Sequence, residues 1–195
     1  MNTLRLTVVL AVAVVGFGQE AVVQRSSIWV DTVKKGPMAR AVRGQGPLVR
    51  DNALEINIPA AQAQEIQLGQ PADIDTGGSG LVKGKVTRIF PVANGVTKVE
   101  LQAEKPLPEA PMLDAIVQIE TIPDVLYVGR PAGAAQSEGM LFKLDVDGKN
   151  ALKVNVRYGR TSVNTIEIVS GLQPGDRVIL SDTSAFAARD TVRLQ

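Results

Sequence analysis

The 195-residue chain contains no cysteine and no histidine. The first absence excludes disulfides, thiolate nucleophiles, thiolate zinc sites and a lipidated N-terminal cysteine. The second removes Ser-His-Asp and Cys-His arrangements and most catalytic zinc sites. An enzyme built on this chain would have to work with Lys, Tyr, Ser and carboxylates alone. Aromatic residues are scarce, at 4%, and neither sign of charge dominates: 21 Lys and Arg face 20 Asp and Glu, for a net charge of +1. A nucleic-acid binder needs a basic face and often stacks bases on aromatics. Here no Lys/Arg cluster exceeds a pair. Nucleic acid is not an expected partner.

What the chain does contain is a 45% apolar composition, enough for one or two small folded domains. Its longest apolar run, Leu6–Gly18, follows a single positive residue, Arg5, and ends at Gln19-Glu20. The run is shorter than the roughly 20 residues of a membrane-spanning helix and fits the core of a signal peptide. Gly16-Phe17-Gly18 supplies a small-x-small triplet for cleavage before Gln19. Residues 1–25 therefore read as a signal peptide or a short membrane anchor, and the rest as exported.

Beyond the leader nearly every segment reads as a strand. Ile28–Val33 alternates and meets a turn signal at Lys34-Lys35-Gly36-Pro37. Met38–Val49 reads as a second strand, with Gly44 and Gly46 marking bulges or close backbone approaches. Ala53–Ile58 places Leu54, Ile56 and Ile58 on one face. Pro59–Leu68 reads as the one short helix, stopped by Gly69 and Pro71. Further strands fall at Ala72–Thr76, Leu81–Phe90, Val96–Ala103 and Ala115–Thr121, with Asn94-Gly95 as a hairpin turn. After a break at Ile122-Pro123 come Val125–Val128, Leu141–Val146, Ala151–Arg157, Thr165–Val169 and Arg177–Ser181. Short strands separated by turn signals predict a mainly β protein, built from two small barrel-like units that meet near Pro123.

No cluster of residues makes a catalytic site. Asp145–Asn150 resembles the start of a calcium loop, but Lys149, Asn150 and Val156 stand where a ligand, a glycine and a glutamate are needed. A hairpin turn is the better reading. Gly80–Val86 resembles a phosphate loop one residue short, with Val86 in place of the magnesium-binding hydroxyl, and it enters a strand rather than a helix. Asp73 and Asp75 share a strand face, as solvated carboxylates commonly do. Tyr127 and Tyr158 sit beside Gly129-Arg130 and Gly159-Arg160, which is either an anion site or an ordinary strand end. No cofactor and no metal are expected.

Several stretches together resemble the periplasmic adaptor, or membrane fusion protein (HlyD-like), family of bacterial efflux pumps. Trp29–Met38 leading to Val42-Arg43-Gly44-Gln45-Gly46 is similar to the strand pair that opens the mature adaptor. Ile58–Gln70 is similar to the short helix and "G-Q" turn of the adaptor barrel, and Tyr127–Pro131 to the crossing into the membrane-proximal domain. The tail is the most specific: Gly159-Arg160-Thr161 and then Ile166–Ile179, which includes Gly171, Leu172, Gly175 and Asp176, resembles the family's C-terminal "G…I-E-I-x-x-G-L-x-x-G-D-x-V-I" hallmark.

This resemblance implies opening strands at 26–50 shared with a membrane-proximal domain at 123–195, and a β-barrel domain at 51–122. It implies a non-catalytic periplasmic subunit, associated with the inner membrane, that self-associates and binds a transporter of ABC or RND type. Arg130, Arg157 and Arg160 are the expected partner contacts. The lipoyl-like domain and helical hairpin of the family are missing, since Val49–Asn52 passes directly into the strand at Ala53 and no heptad run exists. An outer-membrane channel is then out of reach. The alternative is a stand-alone periplasmic β-domain that binds a small ligand or modulates a partner. A histidine-free hydrolase or lyase ranks last.

Overall fold

Leu54, Ile56 and Ile58 alternate with more polar neighbours along one strand, and all three side chains are fully buried. That period-2 pattern recurs through the computed structural model, which describes residues 21–134 and 136–195. The leader at Leu6–Gly18 lies outside the described residues. The described chain is 58% strand and 7% helical, as the alternation predicts. The strands are β1 (Ala21–Val23), β2 (Val30–Thr32), β3 (Lys34–Gly46), β4 (Leu48–Arg50) and β5 (Ala53–Pro59). After helix α1 (Ala60–Ala63) come β6 (Pro71–Asp75), β7 (Leu81–Ile89), β8 (Val96–Ala103) and β9 (Leu113–Gly129). The last five are β10 (Glu138–Leu144), β11 (Asn150–Thr161), β12 (Thr165–Ser170), β13 (Arg177–Ile179) and β14 (Thr191–Leu194). Among the described residues no helix is long and apolar enough to cross a membrane.

Six strands close a barrel in the order β9-β3-β5-β8-β7-β6 and back to β9. Its interior is filled by Leu54, Ile56, Ile58, Ile74, Val86, Val99, Leu101 and Val117. Each such side chain contributes about 1.5–3 kcal/mol by leaving water. Gly44 and Gly46 allow β3 to cross β5 closely: a Cβ on Gly46 would lie 1.7 Å from the Glu55 carbonyl oxygen. The Asn94-Gly95 turn has positive φ at both residues, 51° and 76°, the mirror-image turn that suits the twist of a two-residue hairpin.

A second ring runs β13-β10-β11-β12-β9. The segment Val30–Gly36 closes it, pairing first with β13 through β2 and then with β9 through the start of β3. Between those pairings Val33 donates to the Asp176 carbonyl at 2.8 Å and accepts from the Gly175 N–H at 2.8 Å. Val33, Val128, Leu141, Val156, Ile166, Leu172 and Val178 fill this ring. β1 and β14 cover its flank over Phe142, Leu144 and Ile179. Phe186 meets Phe142 edge-on at 5.1 Å.

Three sequence expectations are corrected. The helix expected over Pro59–Leu68 is only the four residues of α1, because Ala63 and Ile66 alone reach the core and no side chain caps its start. Lys34–Pro37 is not a turn. β3 runs through it, and the register skips from Gly36↔Val125 to Met38↔Ile122. The Ile122-Pro123 break likewise lies inside β9. Pro37 and Pro123 face each other in this one irregularity, where neither needs a ladder N–H. Gly36, at φ 149°, adopts a backbone conformation that side-chain-bearing residues avoid.

Candidate functional site

A polar cleft of about 650 Å³ separates the α1 end of the barrel from the second ring. The barrel side is formed by Arg40, Ala41, Arg43, Gln62 and Glu65, and the ring side by Arg130, Ser137, Gly159, Thr161 and Ser162. A second skip in the β3–β9 register, between Arg40↔Glu120 and Ala41↔Gln118, shapes this wall. It releases the Ala41 N–H from the ladder, and that N–H donates to the Ser162 Oγ at 3.0 Å. Ser162 is one of the few buried polar side chains among the described residues.

Charges of alternating sign line the junction. The Arg40 guanidinium contacts Glu65 at 2.7 Å and Glu120 at 2.5 Å, and its Nε is buried without a partner. Across the cleft Arg160 holds Glu167 at 2.9 Å. The hydrogen bond from Arg160 keeps the Glu167 carboxyl below the usual glutamate range. The hydrogen bond from Arg40 does the same for Glu65, which also feels the field of Arg160. Arg160 in turn feels both Glu120 and Glu65, so the two halves of the cluster sense each other across the cleft.

The three arginines singled out in the sequence are spread over the second ring. Arg130 is exposed just past β9, where its N–H donates to the Asn164 carbonyl at 2.9 Å, and it lines the cleft. Arg157 is exposed on β11 and borders a separate groove with Met140 and Ser170. Arg160 lies beyond the bulge in β11 with its fork occupied by Glu167. The structure brings Arg130 and Arg160 toward one cleft and leaves Arg157 outside it.

The glycines of the C-terminal motif each have a local cause. Gly171 has φ 98°, and a Cβ there would lie 2.1 Å from the Asn155 carbonyl oxygen. Gly175 has φ 90° and donates to Val33. Leu172 is buried in the ring core. Asp176 accepts from the Gln173 N–H at 2.8 Å and pairs with Lys143 at 3.0 Å. Residues 171–176 are therefore the clasp that holds the returning N-terminal segment.

The remaining sequence candidates are occupied structurally. The Asp145 carboxylate accepts from the backbone and side chain of Asn150, and Asp147 accepts from the Lys149 N–H, as a β10–β11 hairpin requires. Gly80–Val86 leads into β7, a strand. Asp73 pairs with Lys83 at 2.5 Å, and Asp75 accepts from the Gly77 N–H. Among the described residues no three His, Cys, Asp or Glu side chains gather to hold a metal. Tyr158 packs over Gly139, and burial raises its pKa; Tyr127 is half-buried on β9 beside Glu167 and Lys34. Arg40, Glu65, Glu120 and Ser162 escaped the sequence reading. They are distant in the chain, and the β3–β9 pairing of Arg40 with Glu120, the segment after α1 and the Ala41–Ser162 bond at the second skip bring them together.

No family model matches this chain. No curated protein matches it either. Among solved structures, MacA from Actinobacillus actinomycetemcomitans aligns at 14% identity over 67% of this chain and 42% of its own, with a TM-score of 0.42. ZneB from Cupriavidus metallidurans aligns at 15% identity over 68% of this chain and 40% of its own, with a TM-score of 0.33. The chain spans about two fifths of the length of each, and the likeness is a loose one of fold alone.

Proposed function

We propose that this chain is a non-catalytic periplasmic adaptor module that binds an inner-membrane transporter and self-associates at the inner membrane. The observation that carries the reading is the C-terminal motif: its glycines and Asp176 stand where the clasp on Val33 needs them. Residues 51–122 act as the barrel domain, and residues 123–195, with the opening strands of 26–50, act as the membrane-proximal domain. The work is mechanical. A transporter's conformational cycle moves the second ring, and the shared strands β3 and β9 pass that motion to the barrel.

Arg130 and Arg157 are the foremost contact candidates, since both are exposed and neither has an ion pair among the described residues. Arginine suits such a surface because its planar fork binds carboxylates bidentately. Arg160 joins them only where a partner carboxylate displaces Glu167. The test is co-purification with candidate inner-membrane transporters of ABC and RND type. Arg130→Glu and Arg157→Glu together should abolish recovery, and undiminished recovery would reject these contacts.

A second reading is favoured by one feature. β4 turns into β5 through Asp51-Asn52, with Asn52 at φ 57°, so nothing extends from the barrel at this point. A stand-alone periplasmic domain that modulates a partner would need no such extension. Cross-linking separates the two readings, because the adaptor should give discrete oligomers and the stand-alone domain only monomers.

A further inference from the structure

Two strands, β3 and β9, are shared by the barrel and the second ring. Their ladder is interrupted where Gly36-Pro37 faces Pro123-Asp124. Two prolines supply no N–H there, so the ribbon loses hydrogen bonds where it passes from one unit to the other. The ribbon alone does not fix the angle between the units. Across the cleft, the Ala41 N–H to Ser162 Oγ bond at 3.0 Å ties the β11–β12 turn to the barrel wall. Beside it the Arg160 cation lies within the field of Glu65 and Glu120, and Glu167 within that of Arg40.

We propose that the irregularity at Gly36-Pro37 and Pro123-Asp124 is a hinge, and that Ser162 with Arg160 is the latch that holds the cleft at its observed opening. The arrangement fits a latch rather than a permanent seam. Among the described residues a single backbone-to-hydroxyl bond crosses the gap, and such a bond contributes only modestly. The Arg160 contribution acts through partly exposed carboxylates and is screened by salt. A device of this kind has two arrangements of the same units, with the balance set by groups at the cleft rather than by either core. Arg40 holds Glu65 and Glu120 in place on the barrel side and so positions the acidic half of the latch.

The absence of cysteine makes the test clean, because spin labels attach only where cysteines are introduced. Lys85→Cys on β7 and Asn155→Cys on β11 are exposed positions, one in each unit and both away from the cleft. In the full chain the label-to-label distance distribution should be single and narrow. Adding Ser162→Ala and Arg160→Met should shift it to longer distance and broaden it, Ser162→Thr should restore it, and Arg43→Met in the same cleft should leave it unchanged. If the double change prevents folding, as circular dichroism would reveal, Ser162→Ala alone decides. An unaltered distribution in the Ser162 and Arg160 variants overturns the latch. A distribution already broad in the unsubstituted chain overturns it equally.

Discussion

Glu167 reaches across Gly159 to grip Arg160: its Oε2 accepts from both the Arg160 backbone N–H and Nε at 2.9 Å, and its Oε1 from Nη2 at 3.2 Å. The crossing needs a residue without a side chain. A Cβ on Gly159 would lie 2.5 Å from the carboxylate oxygen. This cross-strand pair therefore couples a motif glycine, a motif glutamate and a cleft arginine in one contact.

Two glycine substitutions should consequently differ in cost. Gly159→Ala meets the tip of a flexible side chain, which can move aside, and should cost about 1 kcal/mol. Gly171→Ala meets the rigid Asn155 carbonyl at 2.1 Å and requires a positive φ of 98°. It should cost more than about 2 kcal/mol. Urea unfolding of the two variants checks the ranking, and equal midpoints would show that the clasp tolerates a side chain.

Acid should weaken the junction. Glu167 and Glu65 both have folded-state pKa values below the ordinary glutamate value. Their contribution is then present above the unfolded value of about 4.3 and is lost as the pH falls through the lowered folded values. The melting temperature should hold from pH 8 to about 5 and decline below about 4. Glu167→Gln should show a shallower decline, measured by thermal melts across that range.

Burial predicts where truncation matters. Leu101→Ala empties space at the centre of the barrel core, where the side chain is fully buried. It should cost about 2–5 kcal/mol. Leu81→Ala removes a side chain that is 64% exposed and should cost within about 0.5 kcal/mol. Denaturant midpoints compare them directly.

A fragment of residues 122–195 should fold poorly by itself. It retains β10 to β14 but lacks β2 and the start of β3, which pair with β13 and β9. Val178 and Val128 would lose their cover from Val33. A cooperative unfolding transition from this fragment alone would contradict the expectation.

Local signals made most of the barrel legible. Leu54, Ile56 and Ile58 announce their inner face by alternation, and Asn94-Gly95 announces its hairpin by chemistry. Gly171 and Gly175 mark turns for the same reason. Gly-Pro and Ile-Pro misled because prolines forbid a ladder bond but do not forbid a strand whose register has already skipped. The cleft was illegible for a related reason. Arg40 and Glu65 come from different segments, the Ser162 contact depends on the second skip at Arg40/Ala41, and no local pattern in the sequence encodes such an offset.

The clasp on Val33 also has a consequence during biosynthesis. A chain made from its N-terminus has every barrel strand available once Gly129 emerges. The segment Val30–Val33 must wait for Gly175, Asp176 and β13, which are made long after it. Throughout that interval it is an open edge, the kind of backbone that recruits foreign strands. Lys34 and Lys35 flank it, both exposed in the finished ring. Paired lysines are effective gatekeepers against such recruitment. Their service to the nascent chain ends when the ring closes, leaving Lys35 paired with Asp124 at 3.6 Å.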